Sequence, residues 1–120
     1  MIKSFKDLRA YSEAYDLALL VGKSVNKLPT FERNDLGSQL RRASKSVPAN
    51  IAEGWAKRRF EKEFKKYLDS AIGSCNEMEV HLLLSRDLEY LKRDFCDNLI
   101  QSYVYLGGML VKLRNNWKSK

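Results

Sequence analysis

A chain of 120 residues, 44% hydrophobic and 31% charged, holds enough apolar material for one core and reads as a single domain spanning residues 1–120. No apolar run approaches the roughly 20 residues that cross a bilayer, and Met1-Ile2-Lys3-Ser4-Phe5-Lys6-Asp7 lacks the apolar region of a signal peptide. A membrane span is excluded and a cytoplasmic location expected. The net charge is +7 and the isoelectric point near 9.5, a balance suited to polyanionic partners.

The first amphipathic segment carries Leu8, Tyr11, Tyr15, Ala18, Gly22, Val25 and Leu28 at steps of three and four, which predicts a helix over about 7–28. Asp7 stands as its N-cap, and Pro29 stops it. A second stripe, Leu36, Leu40, Ala43, Val47, Ile51 and Gly54, predicts a helix over about 34–56 that runs through Pro48. A proline there removes one backbone donor and clashes with the preceding turn, at a cost of about 3 kcal/mol. It orphans the Ser44 carbonyl and predicts a bend at Pro48, held by packing on both sides. Phe64, Leu68, Ala71, Cys75, Met78, Leu82 and Ser85 predict a third helix over about 61–86. Leu91, Phe95, Leu99, Ser102, Leu106, Met109, Leu113 and Trp117 predict a fourth over about 91–117.

The links between these segments are short, so neighbouring helices should run antiparallel. The expected fold is all-α, an up-down-up-down four-helix bundle with no strand. Lys118-Ser119-Lys120 reads as a frayed tail. The fourth helix carries a second stripe, Cys96, Ile100, Tyr103, Gly107 and Leu110, making its apolar face wider than one core seam needs. Gly73, Gly107 and Gly108 lie inside helices, where each costs about 0.5–1 kcal/mol relative to alanine. Close approach of another backbone, within the subunit or across an interface, accounts for that cost. Self-association is therefore expected.

Cys75 and Cys96 fall at core spacing with no C-x-x-C partner, which points to buried free thiols. A di-iron carboxylate site needs two Glu-x-x-His motifs, whereas His81 is the one histidine and Met78 stands three residues before it. Glu77 and His81 are four apart and form a polar pair on one helix face. No phosphate-binding glycine loop or nucleotide fingerprint occurs, and the unbroken stripe past Pro48 argues against a helix-turn-helix. No catalytic constellation, metal site or cofactor is expected, and the chain reads as a non-enzyme. Asn50 borders the buried stripe, where its amide can reach carbonyls freed near the proline. Glu53 and Glu77 are candidate acceptors for backbone groups or for Arg41 and Arg42. Together these polar residues read as a network that fixes helix register.

Between Arg41 and Lys66, nine cations stand against Glu53, Glu61 and Glu63, a local balance of +6 that leaves the rest of the chain near neutral. Arg41, Arg42, Lys57, Arg58, Arg59, Lys62, Lys65 and Lys66 are the candidate nucleic-acid-binding residues, contacting phosphates without reading bases. The other reading is a solvated basic face on a structural or adaptor protein that binds another protein. Trp55 and Phe60 interleave with the charges and either stack on unpaired bases or pack the end of the bundle.

The run Ser46-Val47-Pro48-Ala49-Asn50-Ile51-Ala52-Glu53-Gly54-Trp55 resembles the S-[IV]-P-x-N-I-A-E-G-[YW] signature of the four helix bundle proteins, also called 23S ribosomal RNA intervening-sequence proteins. Lys62-Glu63-Phe64, Tyr67-Leu68 and Ala71-Ile72-Gly73-Ser74-Cys75-Asn76-Glu77 resemble the family's second block, and Phe5-Lys6-Asp7-Leu8 with Ala14-Tyr15 fit its first helix. The chain departs from it at Ala56-Lys57-Arg58-Arg59, where the family often has Gly-Arg. The resemblance marks Pro48, Asn50, Glu53, Gly54, Gly73 and Glu77 as structural motif residues. It implies a left-handed bundle and a homopentamer. A related accessory protein of diversity-generating retroelements is similar in fold, pentameric, and binds nucleic acid and a reverse transcriptase; that link is an analogy of fold alone.

Overall fold

The computed structural model describes residues 1–119 and is all-helical among them, with four long helices: α1 (Arg9–Ser24), α2 (Leu36–Ala56), α3 (Glu61–Asp87) and α4 (Arg93–Asn116). Short 3-10 turns at Phe5–Asp7, Val25–Lys27 and Thr30–Glu32 lead into α1 and join it to α2. Each helix packs on the next in the chain, and α4 returns to α1 with the thinnest of the four contacts. The result is a four-helix bundle of 49 × 22 × 22 Å. Pairs across the α2–α3 and α3–α4 interfaces run in opposite senses along the two helices. Arg42 meets Glu77 while Ser46 meets Ser74, and Arg86 meets Asp97 while Arg114 meets Asp69.

The stripes of α2 and α3 face the core at every position expected from their spacing. Of the first stripe, Leu8, Val25 and Leu28 are buried as expected, but within α1 the core takes a neighbouring face: Ala10, Ala14, Leu17, Val21 and Ser24 are buried, whereas Tyr15 is 49% exposed and Gly22 faces solvent. The small side chains Ala10 and Ala14 lie on the buried face, while Tyr11 is partly buried and Tyr15 half exposed beside it. Asp7 is not the cap of α1. Leu8 holds that position without a side-chain bond, while Asp7 closes a capping box with Ser4 one turn earlier. There its carboxylate accepts from the Lys3 and Ser4 amides, which lower its pKa.

The second stripe of α4 is not a spare face. Cys96, Tyr103 and Leu110 are completely buried within the subunit, as deeply as Leu99 and Leu106. The core is centred between the two stripes, because α4 packs on α3 along one flank and on α1 along the other. Of the two expected sources of close backbone approach at the glycines, the one within the subunit is absent. A Cβ at Gly73 or Gly108 would meet nothing within 4 Å, and one at Gly107 only the Cys75 Cβ at 4.0 Å. Close approach occurs at Gly54, where a Cβ would fall 2.7 Å from the Tyr67 Cβ and 3.2 Å from the Phe64 ring.

α3 ends in a Schellman motif: the Tyr90 amide donates to the Ser85 carbonyl and the Glu89 amide to that of Arg86. Glu89 takes the left-handed position at φ 62°, where glycine is the usual residue. The C-terminus is docked as far as Ser119 and is not frayed there. The Trp117 indole and the Ser119 hydroxyl both donate to the Arg58 carbonyl, and the Ser119 amide donates to Glu61. Lys120 lies outside the described residues.

Candidate nucleic-acid interface

The eight candidate cations do not form one patch. Arg41 and Arg42 sit in the first half of α2, sixteen residues and so about 24 Å along the axis from Lys57. With Lys45 they border a shallow groove floored by Ser38, Ser46 and Ala49. Arg41 donates to the Arg33 carbonyl at 3.3 Å. Arg42 donates to Gln39 at 2.7 Å and forms an ion pair with Glu77 across the α2–α3 interface. Part of the charge in this patch is therefore spent inside the subunit.

The other six cluster where α2 ends and α3 begins. Ala56 closes α2, the turn from Lys57 to Phe60 reverses the chain, and α3 starts at Glu61. The Phe60 amide donates to the Lys57 carbonyl within this turn, at 2.9 Å. Lys57 donates to the Tyr67 hydroxyl at 3.0 Å, a bond that raises the lysine's pKa and keeps it fully charged. Arg58 folds back over the Trp55 ring at 4.3 Å and donates to the Trp55 carbonyl. Lys65 pairs with Glu61 at 3.1 Å; that bond, with the Ser119 amide, lowers the Glu61 pKa. The side chains of Arg59, Lys62 and Lys66 are exposed and make no hydrogen bond or ion pair among the described residues. Lys62 and Lys66 are presented to solvent without a competing partner there, and Arg59 lies only over the Phe60 ring.

The aromatic residues beside the charges divide. Trp55 is 8% exposed and packs edge-on against Phe64 and Trp117, with centroids at 6.3 and 5.8 Å. Bundle-end packing accounts for it. Phe60 is 55% exposed and carries only the Arg59 guanidinium over its ring, at 4.9 Å.

The polar residues beside Pro48 are partly brought together. Pro48 is half-buried within a helix that continues on both sides of it. Asn50 donates to the Ser46 carbonyl at 2.8 Å and to its hydroxyl at 3.0 Å; the carbonyl it serves is Ser46's, not the orphaned Ser44's. The Ser46 hydroxyl continues to Ser74 on α3 at 2.8 Å. Glu53 does not join this network: it is exposed and makes no hydrogen bond or ion pair among the described residues. Arg42 reaches Glu77 instead because those two residues stand opposite each other across the α2–α3 seam, a register that spacing along one helix does not reveal. Glu77 also meets His81 Nε2 at 3.1 Å. Burial works to raise the Glu77 pKa, but the bonds to His81 and Arg42 outweigh it and hold the carboxyl below the ordinary glutamate range. Gly73 is exposed with open space around it, so its expected close contact is absent within the subunit.

Tyr67, Ser74 and Ser119 hold Lys57, Ser46 and the turn in place; Tyr67 and Ser74 lie in the second family block, but neither they nor Ser119 were singled out by residue type or spacing. Their partners lie on other helices, and only the tertiary register assigns them. His81 Nδ1 and the Tyr103 hydroxyl are buried without a hydrogen-bond partner among the described residues. No group of three or more His, Cys, Asp or Glu side chains able to hold a metal ion occurs among those residues, and no helix is long and apolar enough to cross a membrane. Both cysteines are buried free thiols.

No curated protein matches the chain. The helical bundle and the proline-containing block on α2 agree instead with a family-level match, in which the model of the 23S rRNA-intervening sequence protein covers residues 6–112. The chain belongs to that family.

Proposed function

We propose that this protein is a non-enzymatic, oligomeric and cytoplasmic bundle that binds RNA or DNA through the basic end formed by α2 and α3, without base-specific readout. The observation that carries this reading is the turn from Lys57 to Phe60. It gathers Lys57, Arg58, Arg59, Lys62, Lys65 and Lys66 at one end of a bundle only 22 Å across and leaves the side chains of Arg59, Lys62 and Lys66 without an ion-pair partner among the described residues. Phosphate contacts need that kind of exposed, concentrated positive charge, and they release counterions when they form. Arg41 and Arg42 join as a second, weaker contact farther along α2.

Self-association is supported by apolar surface that the subunit does not cover. Tyr15, Leu19 and Leu20 on α1 are about half exposed, as are Val80 and Leu84 on α3 and Val104 and Tyr105 on α4. Faces of this kind on opposite sides of one chain suit a head-to-tail ring, and the family resemblance suggests five subunits. Repetition around a ring multiplies the basic end. Light scattering at micromolar protein and high salt tests the assembly, since apolar burial survives the screening that weakens exposed charge pairs.

Filter binding of a labelled oligonucleotide across a salt series tests the nucleic-acid reading. Log affinity falls linearly with log salt, by about 0.9 per phosphate contact on duplex and 0.7 on single strands. Replacing Lys57, Arg58 and Arg59 together by alanine lowers affinity on all sequences and flattens the slope. Retention of wild-type affinity and slope by a folded triple variant overturns the reading. An adaptor role then takes its place, favoured by the apolar groove of Phe5, Tyr11, Tyr15, Leu19, Pro48 and Ala52 between α1 and α2.

A further inference from the structure

We infer that Phe60 is a base-stacking platform, and that the basic end accordingly prefers single-stranded nucleic acid to duplex; this rests on the nucleic-acid reading above. Three observations on the ring bear on this. Phe60 occupies the N-cap of α3, a position where Ser, Thr, Asp or Asn ordinarily supplies an acceptor to the first-turn amides. It makes no side-chain cap, so α3 forgoes that stabilisation at this residue. None of the four long helices has a side-chain cap at its N-cap residue, so the position does not distinguish Phe60 by itself; it sets the ring at the exposed end of α3 with no capping role.

The ring also does not serve the core. Phe60 is 55% exposed and pairs with no other aromatic ring among the described residues, in contrast to Trp55, Phe64 and Trp117, which pack on one another. Phe31, the other strongly exposed phenylalanine, lies in the turn before α2 and packs edge-on against Tyr90. Phe60 has a cation for its neighbour instead, the Arg59 guanidinium.

The charges complete the arrangement. Arg59 precedes the ring, Lys62 follows two residues later, and both are exposed. A strand whose phosphates meet these two cations brings its bases to the ring, which receives one on the face the Arg59 guanidinium does not cover or in place of that guanidinium. Every base has a flat π-face, so stacking on Phe60 needs no particular sequence. Bases in a duplex are already stacked on one another and present only their edges, which leaves the ring nothing to receive.

The experiment is fluorescence anisotropy with the full chain, using one labelled mixed-sequence oligonucleotide single-stranded and then annealed to its complement. Phe60→Ala, Phe60→Leu and Phe60→Trp are compared with wild type, and circular dichroism confirms the fold of each. One stacked base corresponds to about a 5- to 150-fold change in affinity. Phe60→Ala and Phe60→Leu should lose single-strand affinity within that range, Phe60→Trp should keep or raise it, and duplex affinity should not move. The salt slope should stay at the wild-type value, because no phosphate contact is lost. Wild-type single-strand affinity in Phe60→Ala overturns the inference, as does full retention by Phe60→Leu. If the Lys57, Arg58 and Arg59 triple variant still loses binding in that case, the nucleic-acid reading stands while the stacking role falls. Absence of binding to either oligonucleotide by the wild type removes both.

Discussion

Gly54 on α2 and Tyr67 on α3 leave no room for a side chain between them, since a Cβ on the glycine would stand 2.7 Å from the Tyr67 Cβ. That neighbour is attached directly to the α3 backbone and cannot swing aside. Gly54→Ala must therefore push the two helices apart and should cost about 1–3 kcal/mol in urea denaturation. Gly73→Ala meets open space on an exposed helix face and should gain about 0.5–1 kcal/mol. Equal losses at the two positions would contradict this assignment of contacts.

The hydrogen-bond chain from Asn50 through Ser46 to Ser74 ties α2 to α3 beside Pro48. Asn50→Ala should cost about 1 kcal/mol, the usual net contribution of a hydrogen bond. A double-mutant cycle on Ser46→Ala and Ser74→Ala should return a coupling of at least about 0.5 kcal/mol. Strict additivity of those two changes would show that the hydroxyls do not interact.

Glu89 holds the left-handed position that closes α3. Glu89→Gly relieves the clash between Cβ and the backbone and should raise stability by about 1 kcal/mol, read as a higher urea midpoint with an unchanged slope. A lower midpoint would mean that the glutamate side chain contributes more than its backbone costs.

Glu77 has its pKa lowered from the ordinary 4.5, so the folded state binds that proton more weakly than the unfolded chain does. Its contribution is complete above 4.5 and disappears as pH falls through the lowered value. Wild type should exceed Glu77→Gln by up to about 1 kcal/mol near neutrality, a modest figure because Arg42 is exposed. Stability measured against pH should bring the two curves together in acid. A gap that persists at the acid end would assign the loss to packing instead.

Burial pushes the Cys75 thiol up to about 12 and raises Cys96 as well. Neither forms appreciable thiolate near neutral pH, and both are shielded from reagent. A disulfide reagent should label the native protein only slowly and should titrate both thiols at once in denaturant. Rapid labelling of one thiol in the native state would place it at an open surface.

The cores of α2 and α3 were legible because each carries one apolar stripe that keeps its three- and four-residue steps over the whole helix, a rhythm that Val80, Leu83 and Leu84 beside it on α3 do not sustain. α1 was not, because Tyr11 and Tyr15 are large enough to dominate a count of apolar residues, while the buried positions beside them include the small side chains Ala10 and Ala14. In α4 two adjacent stripes share one broad core, and sequence spacing alone cannot say whether a second stripe faces inward or outward. The cations of the basic end could be enumerated from the sequence, but not their engagements. Glu77 was a candidate acceptor for Arg41 or Arg42 and takes Arg42, but that Glu53 takes neither and that Lys57 meets Tyr67 depends on the offset between two helices, which no single-helix pattern contains.

The docked C-terminus gives the basic turn a property that its charges alone do not confer. With the Arg58 carbonyl accepting from both Trp117 and Ser119, and Glu61 accepting from the Ser119 amide, the turn is fastened from outside as well as by its own helices. Its backbone is preorganised: an anion arriving at Arg59 and Lys62 has only side-chain freedom left to quench. Less of the attraction is then consumed in ordering the receptor, and more remains as affinity.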